Sequence, residues 1–360
     1  MNLSEVTTFH LGGPAPDLTV ADSRDALLAF ASDHALDPRR PGIPDILLVG
    51  GGSNLLIADV GFAGPVCVVA TKGVETIELS ETHTQVTAEA GEDWDEFVAR
   101  TLTAGLTGLE ALSGIPGSVG ATPVQNVGAY GTEVAELITS VEVYDRLTGQ
   151  VRRLTAAELE FGYRTSALKR AQQAAGTPTF VVLSVTFALG RGDRSLPVRY
   201  AQLASALGVG IGDHVPAAEV RQAVLGLRRS KGMVLDAADH DTWSAGSFFT
   251  NPIVDGEQAL AALPADAPRF PVTDPLSGAT LPGLTKTSAA WLIERAGFSR
   301  GFALPGGRAS LSTKHTLALT NRGEATTADV IDLARTVVAG VSERFGIVLE
   351  PEPTFVGVTL

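Results

Sequence analysis

Apolar and polar positions alternate with two periods along this chain, and the changes of period mark its elements. In Ser23–Leu36, Leu27, Leu28 and Ala31 recur at helical spacing behind Ser23, so the pattern predicts a helix capped by that serine. The run Ile46–Val49 is uniformly apolar and stops at three glycines, which predicts a buried strand entering a glycine turn. Two short strand-like runs follow, Pro65–Thr71 and Thr84–Ala90. A second helix then begins at Asp93, with Glu96 in capping-box register and Trp94, Phe97, Val98 and Leu102 on one face. Thr139–Leu154 predicts a hairpin turning near Thr148 and Gly149, and Thr179–Leu189 a long β segment rich in Val, Phe and Thr, so the middle of the chain reads as antiparallel sheet.

Further helices are predicted over Ala217–Lys231, Ser288–Ala296 with Gly297 as a stop, and Ala325–Phe345 with Gly346 as a stop. Between them, the Pro-, Ala- and Gly-rich stretch 255–285 shows neither period and reads as a long loop. Helices and strands mix without a βαβ rhythm, which places the chain in the α+β class rather than among doubly wound sheets.

Composition narrows the function. The 360 residues are 44% hydrophobic and 19% charged, enough apolar material for a core in two or three domains. The 40 acidic residues outnumber the 27 Lys and Arg, for a net charge of -13 without a basic block, which argues against nucleic-acid or anionic-membrane partners. A phosphorylated ligand must then be held locally, by backbone N–H groups and a few chosen cations. Cys67 is the only cysteine and the six histidines are scattered, so neither a disulfide nor a metal site is expected. The first twenty residues lack the basic and apolar regions of an export signal and no membrane span is predicted, so a cytoplasmic protein is expected.

Two glycine-rich stretches carry the chemistry. Gly50, Gly51, Gly52, Ser53, Asn54 and Leu55 directly follow a strand, where backbone free of side chains can turn its N–H groups toward a pyrophosphate. The spacing is not GxGxxG, and taken alone the cluster also suits a tight surface turn. The second stretch runs through Ser113, Gly114, Ile115, Pro116, Gly117, Gly120 and Ala121, then Gln125, Asn126, Gly128, Ala129, Tyr130 and Gly131. Two such loops suggest a large dinucleotide.

The ordered series GGGSNLL, IPGSVGATPVQNVGAYG, YRTSALK, GSFFTNP and EPEPTFVG spans nearly the whole chain and resembles the UDP-N-acetylenolpyruvoylglucosamine reductase family. That resemblance implies a vanillyl-alcohol-oxidase/PCMH-type FAD-binding domain of two subdomains, 1–72 and 73–215, a smaller C-terminal α+β substrate-binding domain, 216–349, and a segment, 350–360, returning to the active site. It implies non-covalent FAD, with Gly50–Leu55 and Ser113–Ala121 at the pyrophosphate and Gln125–Gly131 along the flavin. NADPH would be the electron donor, a UDP-sugar the substrate, and the protein a monomer.

Hydride transfer to the distal carbon of an enolpyruvyl ether leaves negative charge on the neighbouring carbon and its carboxylate, which calls for cationic support and then a proton. The resemblance gives these roles to Arg164, a charged fork for the carboxylate; Ser247, the proton donor; and Glu352, an acid or orienting group. Each residue taken alone suits a blander role: a surface ion pair, a turn, a solvated charge near the chain end. For the UDP-sugar diphosphate, Arg228 stands in the best local cation cluster of an acidic chain, 227–231, which also suits a helix end with solvated charges, and the resemblance points to Lys231, to Tyr200 in a substrate-covering loop, and to Asn251. The chain departs from the family after Glu352, where Pro353 and Thr354 replace the frequent valine and arginine. An FAD-dependent sugar or alcohol oxidase is an alternative, but its usual covalent link would need a His or Cys near the first loop, and none lies within Val49–Asp59. A non-catalytic flavin- or nucleotide-binding module is the other.

Overall fold

The structure is a computed structural model that describes residues 1–37, 39, 42–256, 260, 263–274 and 278–360. They form two compact units, one of residues 16–51 and 63–229, the other of 1–15, 52–62 and 230–360.

In the first unit a parallel sheet places Val66–Val69 between Leu18–Ala21 and Leu47–Val49, against the helix Arg24–Asp33. Ser23 caps that helix, its hydroxyl accepting the Ala26 N–H at 3.4 Å. A larger antiparallel sheet runs in the order Gln150–Thr155, Ile138–Asp145, Phe180–Arg191, His83–Glu89 and Val74–Glu78, with Leu106–Thr107 also pairing on Phe180–Arg191. Its centre, Phe180–Arg191, is buried over most of its length, which is why its sequence reads as a continuous apolar run instead of alternating. His83–Glu89 alternates, burying Thr84, Val86 and Ala88 on one face. The helix Trp94–Thr103 lays Trp94, Phe97 and Val98 on this sheet, where Trp94 and Phe97 cluster with Phe187. Helix Ala217–Ser230 buries Val220 and Val224 against Val198, Leu203 and Val215.

Charge is also built into this unit's interior. The Arg146 guanidinium is fully buried and donates to the carbonyls of His34 and Pro178 at 2.7 and 2.5 Å and to Asp45 at 2.7 Å.

The second unit gathers the long helix Thr327–Phe345, the short helix Ala289–Arg295 and the hairpin Ala309–Leu311/Leu319–Asn321 around a core that includes Phe9, Leu56, Phe248 and Phe249. Distant parts of the chain meet in a parallel pair, Leu55–Ile57 with Thr354–Val356. Thr326 caps the long helix and Gly346 ends it in the left-handed region.

The stretch expected to be a long loop instead contributes strands to a sheet. Ile253–Asp255, Thr280–Lys286 and Phe270–Thr273 make a three-stranded antiparallel sheet, while 257–259, 261–262 and 275–277 lie outside the described residues. The strands escaped sequence reading because most of their side chains are exposed and carry no alternation. Pro282 and Gly283 fall where neither neighbouring strand pairs with them, and Pro271 lies in the strand Phe270–Thr273, at the sheet's edge.

Candidate active site

Each unit carries part of the predicted chemistry. In the first, the strand Leu47–Val49 delivers Gly50 and Gly51 to the second glycine loop. A Cβ on Gly51 would stand 2.6 Å from Gly117 Cα, so two backbones meet there with no room for a side chain, and one on Gly50 would stand 2.3 Å from the Ser118 hydroxyl oxygen. The backbone N–H groups of Gly51, Ile115, Gly117 and Ser118 donate to no acceptor among the described residues. Such a cluster of backbone donors, two of them on glycines, has the chemistry of a pyrophosphate cradle. Asp95 braces it from the helix behind, accepting the Gly114 N–H at 2.6 Å and a fork from Arg221 at 2.5 and 2.9 Å. Burial pushes the Asp95 carboxyl up, but Arg221 and the Gly114 N–H outweigh it and hold the group below its ordinary value.

Downstream, Asn126 organises the second half of this loop. Its side chain donates to Glu133 at 2.6 Å and to the Gly162 carbonyl at 3.0 Å, and accepts the Ala135 N–H at 3.1 Å. Arg164 sits in the turn so fastened and donates from Nη1 to the Asn126 carbonyl at 3.2 Å and from Nη2 to the Gly128 carbonyl at 2.8 Å. The sequence placed Arg164 and the Gln125–Gly131 loop in separate motifs; folding puts them in hydrogen-bond contact. Tyr130 meets Tyr200 edge to face at 5.7 Å. Arg228, from the helix Ala217–Ser230, donates to the Gly114 carbonyl at 3.1 Å. Burial draws its guanidinium down to about 10, with Tyr130 and Asp95 opposing, so it remains charged at neutral pH.

In the second unit, Ser247 lies between Gly246 and the buried Phe248–Phe249 pair. Phe248 N–H donates to the Leu317 carbonyl at 2.7 Å, and the Phe248 carbonyl accepts the Glu352 N–H at 2.8 Å. Thr250 N–H donates to the Glu350 carbonyl at 3.0 Å, so the segments bearing Ser247 and Glu352 run as paired neighbours. Asn54 holds the far side, its Nδ2 donating to the Glu352 carbonyl at 3.3 Å and its own carbonyl accepting the Thr354 N–H at 2.9 Å. Pro353 costs nothing here, because the bonds on this segment are made by the N–H groups of Glu352 and Thr354 on either side of it. Asn251 turns its side-chain oxygen to the Ala289 N–H at 3.0 Å, at the start of a helix.

His315 entered through no motif. Burial above all, and then the positive charges of Lys231 and Arg300, lower its imidazole to about 4, so it is neutral at pH 7 with Lys231 in its electrostatic surroundings. Only the folded arrangement reveals it, as it reveals Asp95 and Glu133. Among the described residues no cluster of His, Cys, Asp or Glu is arranged to hold a metal, and no helix is long and apolar enough to cross a membrane.

A family model described as an FAD binding domain matches residues 34–155, which makes this α+β chain a flavoprotein. The N–H groups of Gly51, Gly117 and Ser118, which have no acceptor among the described residues, are donors of the kind that would hold the pyrophosphate of FAD. A second model, UDP-N-acetylenolpyruvoylglucosamine reductase, C-terminal domain, matches residues 238–356. The chain belongs to the UDP-N-acetylenolpyruvoylglucosamine reductase family and is an FAD oxidoreductase. The enzyme of that name from Saccharopolyspora erythraea is 53% identical over 99% of this chain and 95% of its own, and that from Nocardia farcinica 55% identical over 100% and 90%. The crystal structure of the reductase from Thermus caldophilus is 25% identical, with a TM-score of 0.64 over 99% of this chain and 97% of that one.

Proposed function

We propose that the protein reduces UDP-N-acetylglucosamine enolpyruvate to UDP-N-acetylmuramate at the expense of NADPH, supplying a peptidoglycan precursor. The observation that carries this reading is the backbone pairing of Glu352 with Phe248, which runs the segment bearing Glu352 beside the segment bearing the half-buried Ser247. When bound, FAD supplies the two-electron relay by which a hydride equivalent from NADPH reaches the distal carbon of the enol ether. The electron pair of the double bond then rests on the carbon bearing the carboxylate. Arg164 offsets that charge from a turn fastened by Asn126. Ser247 Oγ gives its proton to that carbon, forming the second C–H bond, and Glu352 orients the serine or returns a proton to it. One hydride and one proton are consumed per double bond, which balances NADPH oxidation.

Tyr200, Arg228, Lys231 and Asn251 serve the UDP-sugar in this reading. The chain is divided by role into 1–72 and 73–215 for FAD, 216–349 for substrate and 350–360 for the returning carboxylate. A monomer in the reducing cytoplasm suits the one thiol, Cys67, whose burial pushes it up to about 11 and leaves it inert.

The test is anaerobic. NADPH should bleach the flavin, and UDP-N-acetylglucosamine enolpyruvate should restore its absorbance with a product heavier by two hydrogens. Restoration by dioxygen alone, with none by the enol ether, would point to an oxidase.

A further inference from the structure

The N-terminal run Thr7-Thr8-Phe9-His10 belongs to none of the motifs assigned above, yet within its own unit it joins two of them. On one side it meets the third glycine of the triple-glycine turn. Gly52 has φ +62°, and a Cβ there would stand 1.9 Å from the Val6 carbonyl oxygen and 2.8 Å from Thr7 Cα, so only glycine permits the approach. Thr8 N–H closes it, donating to the Gly52 carbonyl at 3.2 Å. On the other side Thr8 Oγ1 donates to the Ser244 carbonyl at 2.7 Å. Ser244 Oγ in turn accepts the Gly246 N–H at 3.1 Å, one residue before Ser247.

The flanking residues extend the contact in both directions. Phe9 lies edge to face on Phe248 at 6.4 Å, and the His10 ring is tilted on Trp243 at 4.2 Å. Asn321 ties the two segments together, donating from Nδ2 to the Phe9 carbonyl and from N–H to the Trp243 carbonyl, each at 3.0 Å. Residues 8, 9 and 10 therefore touch 244, 248 and 243, and the serine turn is held from both ends.

We propose that Thr8 is a positioning residue for proton delivery, fixing the Ser247 turn relative to Gly52. The inference rests on the role proposed for Ser247. Its physical basis is the difference in stiffness between the contacts. Aromatic pairs tolerate centroid separations over a range of about 4.5–7 Å, whereas the Thr8–Ser244 hydrogen bond fixes its partners to within a few tenths of an ångström. Proton transfer requires heavy-atom approaches of roughly 2.6–3.2 Å, so a half-ångström drift of the turn is enough to slow it. Thr8 is 7% exposed, and both its N–H and its hydroxyl are engaged, which leaves no slack at the junction.

Thr8→Val keeps the shape and the N–H bond to Gly52 while removing the hydroxyl, and Thr8→Ser restores the hydroxyl without the methyl. Both are to be compared with wild type as FAD-loaded protein in the two anaerobic half-reactions. In Thr8→Val, reduction by NADPH should stay within about twofold of wild type while reoxidation by the enol ether slows about tenfold or more; Thr8→Ser should recover most of the loss. Hydrogen–deuterium exchange over residues 243–250 should quicken in Thr8→Val and not in Thr8→Ser, an observation independent of turnover. Reoxidation of Thr8→Val at the wild-type rate, or an equal loss in both half-reactions that serine does not rescue, overturns the inference. A wild type that the enol ether does not reoxidise overturns the proposed reaction itself. Should Thr8→Val not fold, Thr8→Ala takes its place against Thr8→Ser, and failure of all three to fold would make Thr8 a stability residue and end the proposal.

Discussion

The Glu352 N–H donates to the Phe248 carbonyl at 2.8 Å, tying the backbone of one predicted catalytic residue to the residue that follows another, Ser247. The bond uses main chain only, so the carboxylate can be altered without disturbing the pairing. Phe249 and Pro351 form a bridge beside it, and Thr250 N–H reaches the Glu350 carbonyl, so the alignment does not hang on a single contact.

Glu352→Gln is therefore expected to fold, bind FAD and accept electrons from NADPH as the wild type does. Its turnover should fall by about 10²-fold or more, the usual contribution of a positioned acid–base group. Steady-state rates beside flavin reduction rates check this, and a variant with unimpaired turnover removes Glu352 from the chemistry.

Arg164 donates from two different nitrogens to the carbonyls of Asn126 and Gly128, at 3.2 and 2.8 Å. A lysine keeps the charge and loses the planar fork that makes this arrangement. Arg164→Lys should lower kcat/KM for the enol ether by roughly 10²-fold, in the range of losing one preorganised donor in a catalytic site. Its reduction by NADPH should change little, and an equal effect on both half-reactions would argue that Arg164 merely supports the flavin loop.

Gly51→Ala sets a methyl 2.6 Å from Gly117 Cα, where both partners are backbone and neither can turn aside. The loops must separate, and the N–H groups of Gly51, Gly117 and Ser118 separate with them. The expected outcome is protein that keeps its secondary structure but purifies with little or no FAD, read from the ratio of flavin to protein absorbance. Full occupancy in this variant would place the pyrophosphate elsewhere.

His315 predicts a pH dependence of stability. Burial first, and the charges of Lys231 and Arg300 after it, lower the imidazole from 6.5 to about 4 in the folded state. The unfolded chain takes up the proton below pH 6.5 and the folded one does not, so the stability from this group is whole above 6.5 and is lost progressively as pH falls toward 4. Thermal unfolding between pH 7.5 and 4.5 should show a steeper fall for wild type than for His315→Gln, and parallel curves would contradict the account. Asp45 acts in a different window. Its burial is outweighed by the Arg146 guanidinium and the Thr177 hydroxyl, so its carboxyl is depressed and its contribution is lost only at pH below the ordinary carboxylate range.

Elements whose burial follows a period were legible in the sequence. The Trp94–Thr103 helix shows its buried stripe at Trp94, Phe97 and Val98, and the caps at Ser23, Asp93 and Gly346 stand where the residue types predicted them. The strand Val74–Glu78 was not legible, being an edge strand whose side chains mostly face solvent, and the sheet hidden in 255–285 escaped for the same reason. At the site, motifs named Arg164, Ser247 and Glu352 but said nothing of what holds them. Asn126 grips Gly162 from 36 positions away and Thr8 reaches Ser244 across 236, and contacts so remote in sequence leave no local pattern. His315 was hidden for a related reason: its lowered pKa comes from burial and from charges on distant segments.

Proton delivery by Ser247 is tested by single-turnover reoxidation of pre-reduced Ser247→Ala by UDP-N-acetylglucosamine enolpyruvate, without oxygen and beside the wild type. Normal reduction by NADPH is expected in both, with rapid return of flavin absorbance and saturated product in the wild type and a product yield in the variant lower by about 10²-fold or more. Saturated product from Ser247→Ala at the wild-type rate would contradict that role, because the proton would then come from another group.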